Sequence, residues 1–190
     1  NVIRSVCSIH NSPCLTLSPL PEIPSHYTMK APYQKENIAL AKAATKSLLG
    51  HSPKTNDVIE KGLASAQIFG RFSVQKQDDR TLIFDGAHNP AAINAVLESM
   101  EAQFPNQPFD VLIGLLKTKD AEAILSPLLE KADRIHYVAF DDSATPYDDI
   151  QALLPEAHIL PWKMDHPIPK APLLLVTGSL YHLERIRAIS

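Results

Sequence analysis

The stretch Leu82-Ile83-Phe84-Asp85-Gly86-Ala87-His88-Asn89-Pro90 decides how this chain is read. Three apolar residues run into a short polar turn, and an apolar pattern with helical spacing follows. Asn89 suits a helix N-cap and Pro90 the first helical position. The order is therefore strand, tight turn, helix. Such a turn sits at the carboxyl end of a parallel strand, the edge where open α/β sheets bind ligands. Asp85 and His88 both lie in it. A carboxylate there can orient an imidazole or a cation, and the helix N-terminus offers unpaired N–H groups to an anion. By spacing alone, the turn reads equally as such a site or as a plain Asp-Gly turn beside a surface histidine.

Downstream of residue 69 the pattern alternates. Strands are predicted at 72–74, 81–84, 111–116, 135–140, 158–160 and 173–177, and helices at 89–104, 120–132, 148–154 and 180–188. Pro127 is expected to kink the second of these helices. Strands that are apolar throughout, separated by helices, imply a mostly parallel sheet covered on both faces, a Rossmann-like α/β domain. One connection breaks the rule. Between 160 and 173 lie Pro161, Pro167, Pro169 and Pro172 with no helical pattern, whereas a parallel crossover ordinarily carries a helix. Either this connection wraps the surface or the strand near Ile159 is an edge.

Upstream, Val2, Ile3, Val6 and Ile9 have helical spacing with no start signal before them. A brief strand is predicted at 14–17, then an extended connector containing Pro19, Pro21 and Pro24. A helix follows over 34–49, with Ile38, Ala41, Leu48 and Leu49 on one apolar face and Gly50 as its C-terminal stop. A further helix over 56–66 turns Val58, Ile59 and Leu63 inward, with Thr55 or Asn56 as N-cap.

The 190 residues, 45% apolar and 21% charged, suffice for a sizeable core without disulfides or metals. A net charge of −3 with no basic run argues against a nucleic-acid binder. The longest apolar runs are too short to span a bilayer. Cys7 and Cys14 lack metal spacing and read as free thiols of a reducing compartment. The histidines show no zinc pattern, and no Gly-x-Ser-x-Gly elbow is present. The pairs Asp141-Asp142 and Asp148-Asp149 read as a solvated acidic face. The first residue is Asn1 and the chain enters mid-pattern, so a piece of a longer polypeptide is expected.

Asp85-Gly86-Ala87-His88-Asn89-Pro90 resembles the signature of folylpolyglutamate and dihydrofolate synthases, ATP-dependent amide-forming enzymes of the Mur ligase family. Other segments fit in the same order. Gly70-Arg71-Phe72 resembles the family's Pro-Gly-Arg-Phe motif, with Phe69 in place of the proline. Tyr33-Gln34-Lys35-Glu36-Asn37 resembles a His-Gln-x-x-Asn motif, with Tyr33 in place of the histidine. Leu175-Val176-Thr177-Gly178-Ser179-Leu180-Tyr181 resembles the family's last strand and turn. Lys117-Thr118-Lys119-Asp120 is a weaker match to an Asp-Lys-Asp turn.

The resemblance implies a Mur ligase C-terminal domain over 69–190, preceded over 1–68 by the helical tail of a central ATP-binding domain. It implies ATP and magnesium as cofactors, with the magnesium ligands upstream of this chain. The substrates implied are L-glutamate and a folate or dihydropteroate, joined through an acyl phosphate. Catalytic roles would fall to Asp85, His88 and Arg71. Nucleotide contacts would come from Asn37, Gln34, Arg71 and Asp85, and substrate contacts from His88, Asn89, Ser179 and Lys119. No Gly-x-x-x-x-Gly-Lys-[Ser/Thr] loop occurs here, so the isolated chain is expected to be inactive and to pack against a missing N-terminal ATPase domain. The resemblance further suggests a cytoplasmic monomer. The alternatives are a stand-alone, non-catalytic binding module and a Mur-type ligase acting on cell-wall precursors.

Overall fold

The computed structural model describes residues 2–77 and 79–190; Asn1 and Asp78 lie outside the described residues. The chain divides into two units, one formed by residues 2–28 with 33–66 and the other by 29–32 with 67–190.

The first unit holds α1 (Val2–Ile9), α2 (Gln34–Leu49) and α3 (Pro53–Ser65). Val2, Ile3, Val6 and Ile9 of α1 are all exposed. No strand forms at 14–17. That segment instead runs back beside α1, with the Arg4 guanidinium donating to Thr16 Oγ1 at 2.6 Å, and it has no neighbouring ladder to pair with. α2 begins and ends where the sequence places it, and Gly50 leaves it at φ +78°. Its inward face differs from expectation. Ile38 is buried, but Ala41, Leu48 and Leu49 are exposed. The face is set by Lys42, whose Nζ lies 2.6 Å from Glu60 Oε1. The buried Tyr27 hydroxyl donates to the other Glu60 oxygen at 2.5 Å. α3 starts earlier than expected because Ser52 is the N-cap, accepting from Thr55 N at 3.0 Å, with Pro53 at the first helical position. It buries Ile59 and Leu63, whereas Val58 is exposed.

The second unit is a six-stranded sheet with helices. Its elements in order are β1 (Ser73–Lys76), β2 (Thr81–Phe84), α4 (Pro90–Gln103), β3 (Asp110–Ile113), α5 (Ala121–Leu129), β4 (Arg134–Tyr137), α6 (Tyr147–Leu153), β5 (Ile159–Pro161), β6 (Leu173–Thr177) and α7 (Leu180–Arg187). The strand order is β1-β2-β6-β3-β4-β5. β1 and β2 pair antiparallel, and every other pair is parallel. This is the mostly parallel, helix-flanked sheet that the alternating pattern predicts. α5 runs through Pro127 and ends two residues later, three short of the expected end. The ring removes the N–H that would bond Ala123 O.

Side chains alternate across a strand, so one face carries Leu82, Phe84, Leu112, Leu174 and Val176. These pack with Leu183 and Ile186 of α7 in one core cluster. The same cluster contains Trp162, Ile168 and Ala171 of the proline-rich connection. Trp162 Nε1 donates to Pro167 O at 3.0 Å, folding the connection onto itself. β5 is thus an edge strand, and the segment after it covers the sheet where a crossover helix would otherwise lie. Ile83, Val111, Ile113 and Leu175 alternate to the opposite face, and Ile93, Val96 and Met100 of α4 are buried with Ile124, Leu125 and Leu128 of α5.

Candidate active site

The strands β2, β6 and β3 are neighbours running in one direction, so their carboxyl ends share an edge. The loops leaving them are stitched together by main-chain hydrogen bonds. Gly86 N donates to Gly70 O at 2.8 Å, Gly178 N to Ala87 O at 2.9 Å, and Gly114 N to Thr177 O at 3.4 Å. The Thr177 hydroxyl adds a bond to Ala87 O at 3.3 Å. Gly178 has φ +103°, and a Cβ there would strike the Gly114 carbonyl oxygen. Glycine is therefore required on two counts, conformation and space.

Asp85 is 3% exposed at the centre of this edge. Its Oδ2 accepts from Phe72 N at 2.8 Å and its Oδ1 from Ala87 N at 2.9 Å. One carboxylate therefore fixes two loops. Phe72 sits at φ +55°, a left-handed conformation disfavoured for a bulky side chain, and the bond to Asp85 holds it there. Ser73 secures the same loop, accepting from Gly70 N at 3.1 Å and donating to Ile68 O at 3.2 Å. Between these fixed points stands Arg71. Its side chain is exposed, with no hydrogen-bond or ion-pair partner among the described residues. A guanidinium so presented matches phosphate or carboxylate oxygens in a planar fork.

His88 is half-buried, with Nδ1 2.9 Å from Gly86 O. A carbonyl oxygen only accepts, so Nδ1 is the donor in this contact, and Nε2 is the ring nitrogen not engaged by it. Asn89 caps α4, its Oδ1 accepting from Ala92 N at 2.9 Å. Ser179 is buried and caps α7, accepting from Tyr181 N at 3.2 Å. Arg71, Asp85, His88, Asn89 and Ser179 are thus joined through one hydrogen-bonded set of loops. Lys119 lies in the loop after β3, half-buried, with its own N–H bonded to Leu116 O at 3.0 Å. No hydrogen bond ties its side chain to the others among the described residues. Gln34 and Asn37 belong to the first unit. Asn37 Nδ2 donates to Gln34 Oε1 at 3.0 Å, Gln34 is buried, and Asn37 is exposed.

Three supporting side chains are not apparent from the sequence. Phe69 packs its ring 5.2 Å from that of Phe84, and the Arg187 guanidinium covers it at 4.4 Å. That stack braces the loop where the resemblance leads one to expect proline. Beside the same edge, His182 of α7 is fully buried and stacks on Phe140 at 5.0 Å. Neither of its ring nitrogens has a hydrogen-bond partner among the described residues. Burial pushes its pKa down to about 4, against a smaller opposing pull from the Thr177 main chain.

A family model for the Mur ligase glutamate ligase domain matches residues 70–166. The chain belongs to that family. Among curated proteins, the chain is 28% identical over 164 residues to the folylpolyglutamate synthase of Lacticaseibacillus casei, an alignment covering 82% of the chain and 38% of that protein. The chain therefore spans well under half of that relative's length. The crystal structure of folylpolyglutamate synthase from Thermotoga maritima superposes with a TM-score of 0.73 at 21% identity, covering 98% of this chain and 50% of that one. A bifunctional folylpolyglutamate synthase/dihydrofolate synthase with Mn, AMPPNP and L-glutamate bound gives a TM-score of 0.62 at 22% identity, covering 92% of this chain and 41% of that one. These likenesses establish the fold of the glutamate ligase domain.

Proposed function

We propose that this chain supplies the glutamate-ligase part of an ATP-dependent enzyme that joins L-glutamate to a folate or to dihydropteroate. The observation that carries the reading is the Asp85-fixed pair of loops, which holds His88 and Arg71, the latter without a side-chain partner among the described residues, on one hydrogen-bonded edge of the sheet. In such a reaction ATP transfers its terminal phosphoryl group to the acceptor carboxylate, giving an acyl phosphate and ADP. The glutamate amine then attacks the acyl carbon, the amide bond forms, and inorganic phosphate leaves with the electron pair of the broken C–O bond. The phosphoryl oxygens carry charge throughout. A pre-positioned arginine lowers the barrier by meeting that charge without reorganising.

His88 Nε2 is the acceptor that can take a proton from the attacking amine. Asp85 acts by position: its oxygens hold the main chain that carries both groups. The structure with bound L-glutamate supports glutamate as the incoming amine. Gln34 and Asn37, in the part that by resemblance would be the tail of an ATP-binding domain, would offer amide groups to an adenine edge.

The test is a chimera in which residues 67–190 replace the matching part of the Lacticaseibacillus casei enzyme. Glutamate- and folate-dependent ADP release is expected from the chimera and not from the 190-residue chain alone. Arg71→Ala should lower kcat/KM by roughly 100-fold, the scale of losing one transition-state charge partner. A folded chimera that turns over uridine-linked peptides but no folate would overturn the substrate assignment. Turnover unaffected by Arg71→Ala would overturn the assigned role of Arg71.

A further inference from the structure

We propose that Cys7 and Cys14 form a reversible thiol–disulfide pair, an oxidation site separate from the ligase site and independent of the function proposed above. The geometry of the first unit brings them together. α1 ends at Ile9, and Asn11 turns the chain with φ +50°. Ser12 N then donates back to Cys7 O at 2.8 Å, and Asn11 N to Ser8 O at 3.2 Å. The chain after this turn lies along the helix it has just left. Arg4, one turn before Cys7, reaches Thr16, two residues beyond Cys14. Cys7 carries one of these cross-links, and Cys14 falls between them on the opposite limb. Both are free thiols, and the Cys14 thiol is near enough to raise the pKa of Cys7. Facing limbs of one tight turn are a setting in which a disulfide needs little backbone movement.

The two thiols differ. Cys14 is exposed and Cys7 half-buried. Partial burial, reinforced by the Cys14 thiol, raises the Cys7 pKa. Cys14 is therefore the thiol that meets a soluble oxidant first, and Cys7 is the resolving partner. With hydrogen peroxide as the oxidant, the Cys14 thiolate takes one oxygen and becomes a sulfenic acid, releasing hydroxide. The Cys7 sulfur then attacks the Cys14 sulfur, the S–O bond breaks, and water leaves. Overall, two thiols and one peroxide give one disulfide and two waters. The product closes a short exposed loop, which a dithiol reductant can reopen.

The experiment uses the 190-residue chain. It is treated with hydrogen peroxide, alkylated with iodoacetamide, digested with trypsin and weighed. Cleavage after Arg4 and Lys30 leaves both cysteines in one peptide, 5–30. That peptide is expected to lose both alkylations and to be about 2 Da lighter than the dithiol form, with full alkylation restored by dithiothreitol. In Cys7→Ser, Cys14 should stop at the sulfenic acid and react with dimedone, which the native chain should not. The proposal is overturned if both cysteines remain alkylatable after peroxide. Disulfide-linked dimers in place of the internal bridge would overturn it too, as would equal dimedone labelling of the native chain and Cys7→Ser.

Discussion

Acidification should weaken the second unit through one side chain, His182. The imidazole is fully buried against Phe140, and neither nitrogen has a partner to share a proton with among the described residues. The nearby Arg185, which donates to Phe140 O at 3.0 Å, adds repulsion to the burial cost. In the folded chain the pKa is about 4, against 6.5 for an ordinary imidazole. That difference corresponds to about 3 kcal/mol at 1.36 kcal/mol per pH unit. The sign follows from which state binds the proton. Between pH 6.5 and 4 the unfolded chain protonates His182 and the folded chain does not. Stability from this group is therefore complete above about 6.5, falls as the pH drops through that window, and is gone below about 4. His182→Phe removes the titration and keeps an aromatic partner for Phe140. Urea melts read by the fluorescence of Trp162, the single tryptophan, report this unit because Trp162 sits in the same core cluster as Leu183 and Ile186. Carboxylates titrate equally in both proteins, so the difference between the two pH profiles isolates His182. The native chain should lose about 3 kcal/mol more than His182→Phe between pH 7 and 4. Parallel profiles would refute the reasoning.

Asp85→Asn would set an amide N–H against one of the two main-chain donors, Phe72 N or Ala87 N, and should cost about 1–3 kcal/mol in urea melts. Arg71→Ala, by contrast, should change stability by no more than about 0.5 kcal/mol, because the side chain has no partner to lose among the described residues. Gly178→Ala should cost more than about 3 kcal/mol, combining the left-handed backbone with the collision at Gly114 O. An alanine variant with an unchanged melting temperature would show that the β3 and β6 loops can separate. Trp162→Ala should cost about 3–5 kcal/mol, measured by circular dichroism. A loss below about 1 kcal/mol would mean the connection after β5 is not a structural layer.

The residues that made the fold legible act locally. Asn89 and Pro90 mark a helix start whatever surrounds them, and Gly50 marks a helix end. The errors occur where a distant partner decides. Residues 111–116 and 135–140 read as six-residue strands, yet the ladders end at Ile113 and Tyr137. Leu115, Val138 and Phe140 are buried beyond those ends, so their hydrophobicity serves the core and not the ladder. Residues 14–17 look extended, but a strand needs a neighbour. The pattern implied a parallel sheet without giving its order, and nothing local places β6 between β2 and β3. Likewise, Trp162, Ile168 and Ala171 have no periodicity, because an irregular segment can cover a sheet if its apolar residues land where the sheet needs them.

The candidate site shows the same division within single side chains. Sequence can put a carboxylate and an imidazole in one turn at a strand's end. Whether the carboxylate faces a ligand or the main chain depends on Phe72, thirteen residues earlier, which supplies one of its donors. That contact changes what Asp85 does. A carboxylate accepting two main-chain N–H groups fixes the loops of the candidate site, and on the function proposed above the groups offered to substrate would be Arg71 and Nε2 of His88. The two variants should therefore fail differently. Losing Arg71 removes charge from an intact site, so kcat/KM falls while the melting curve stays. Losing the Asp85 carboxylate releases Phe72 from its left-handed conformation, so stability and turnover fall together.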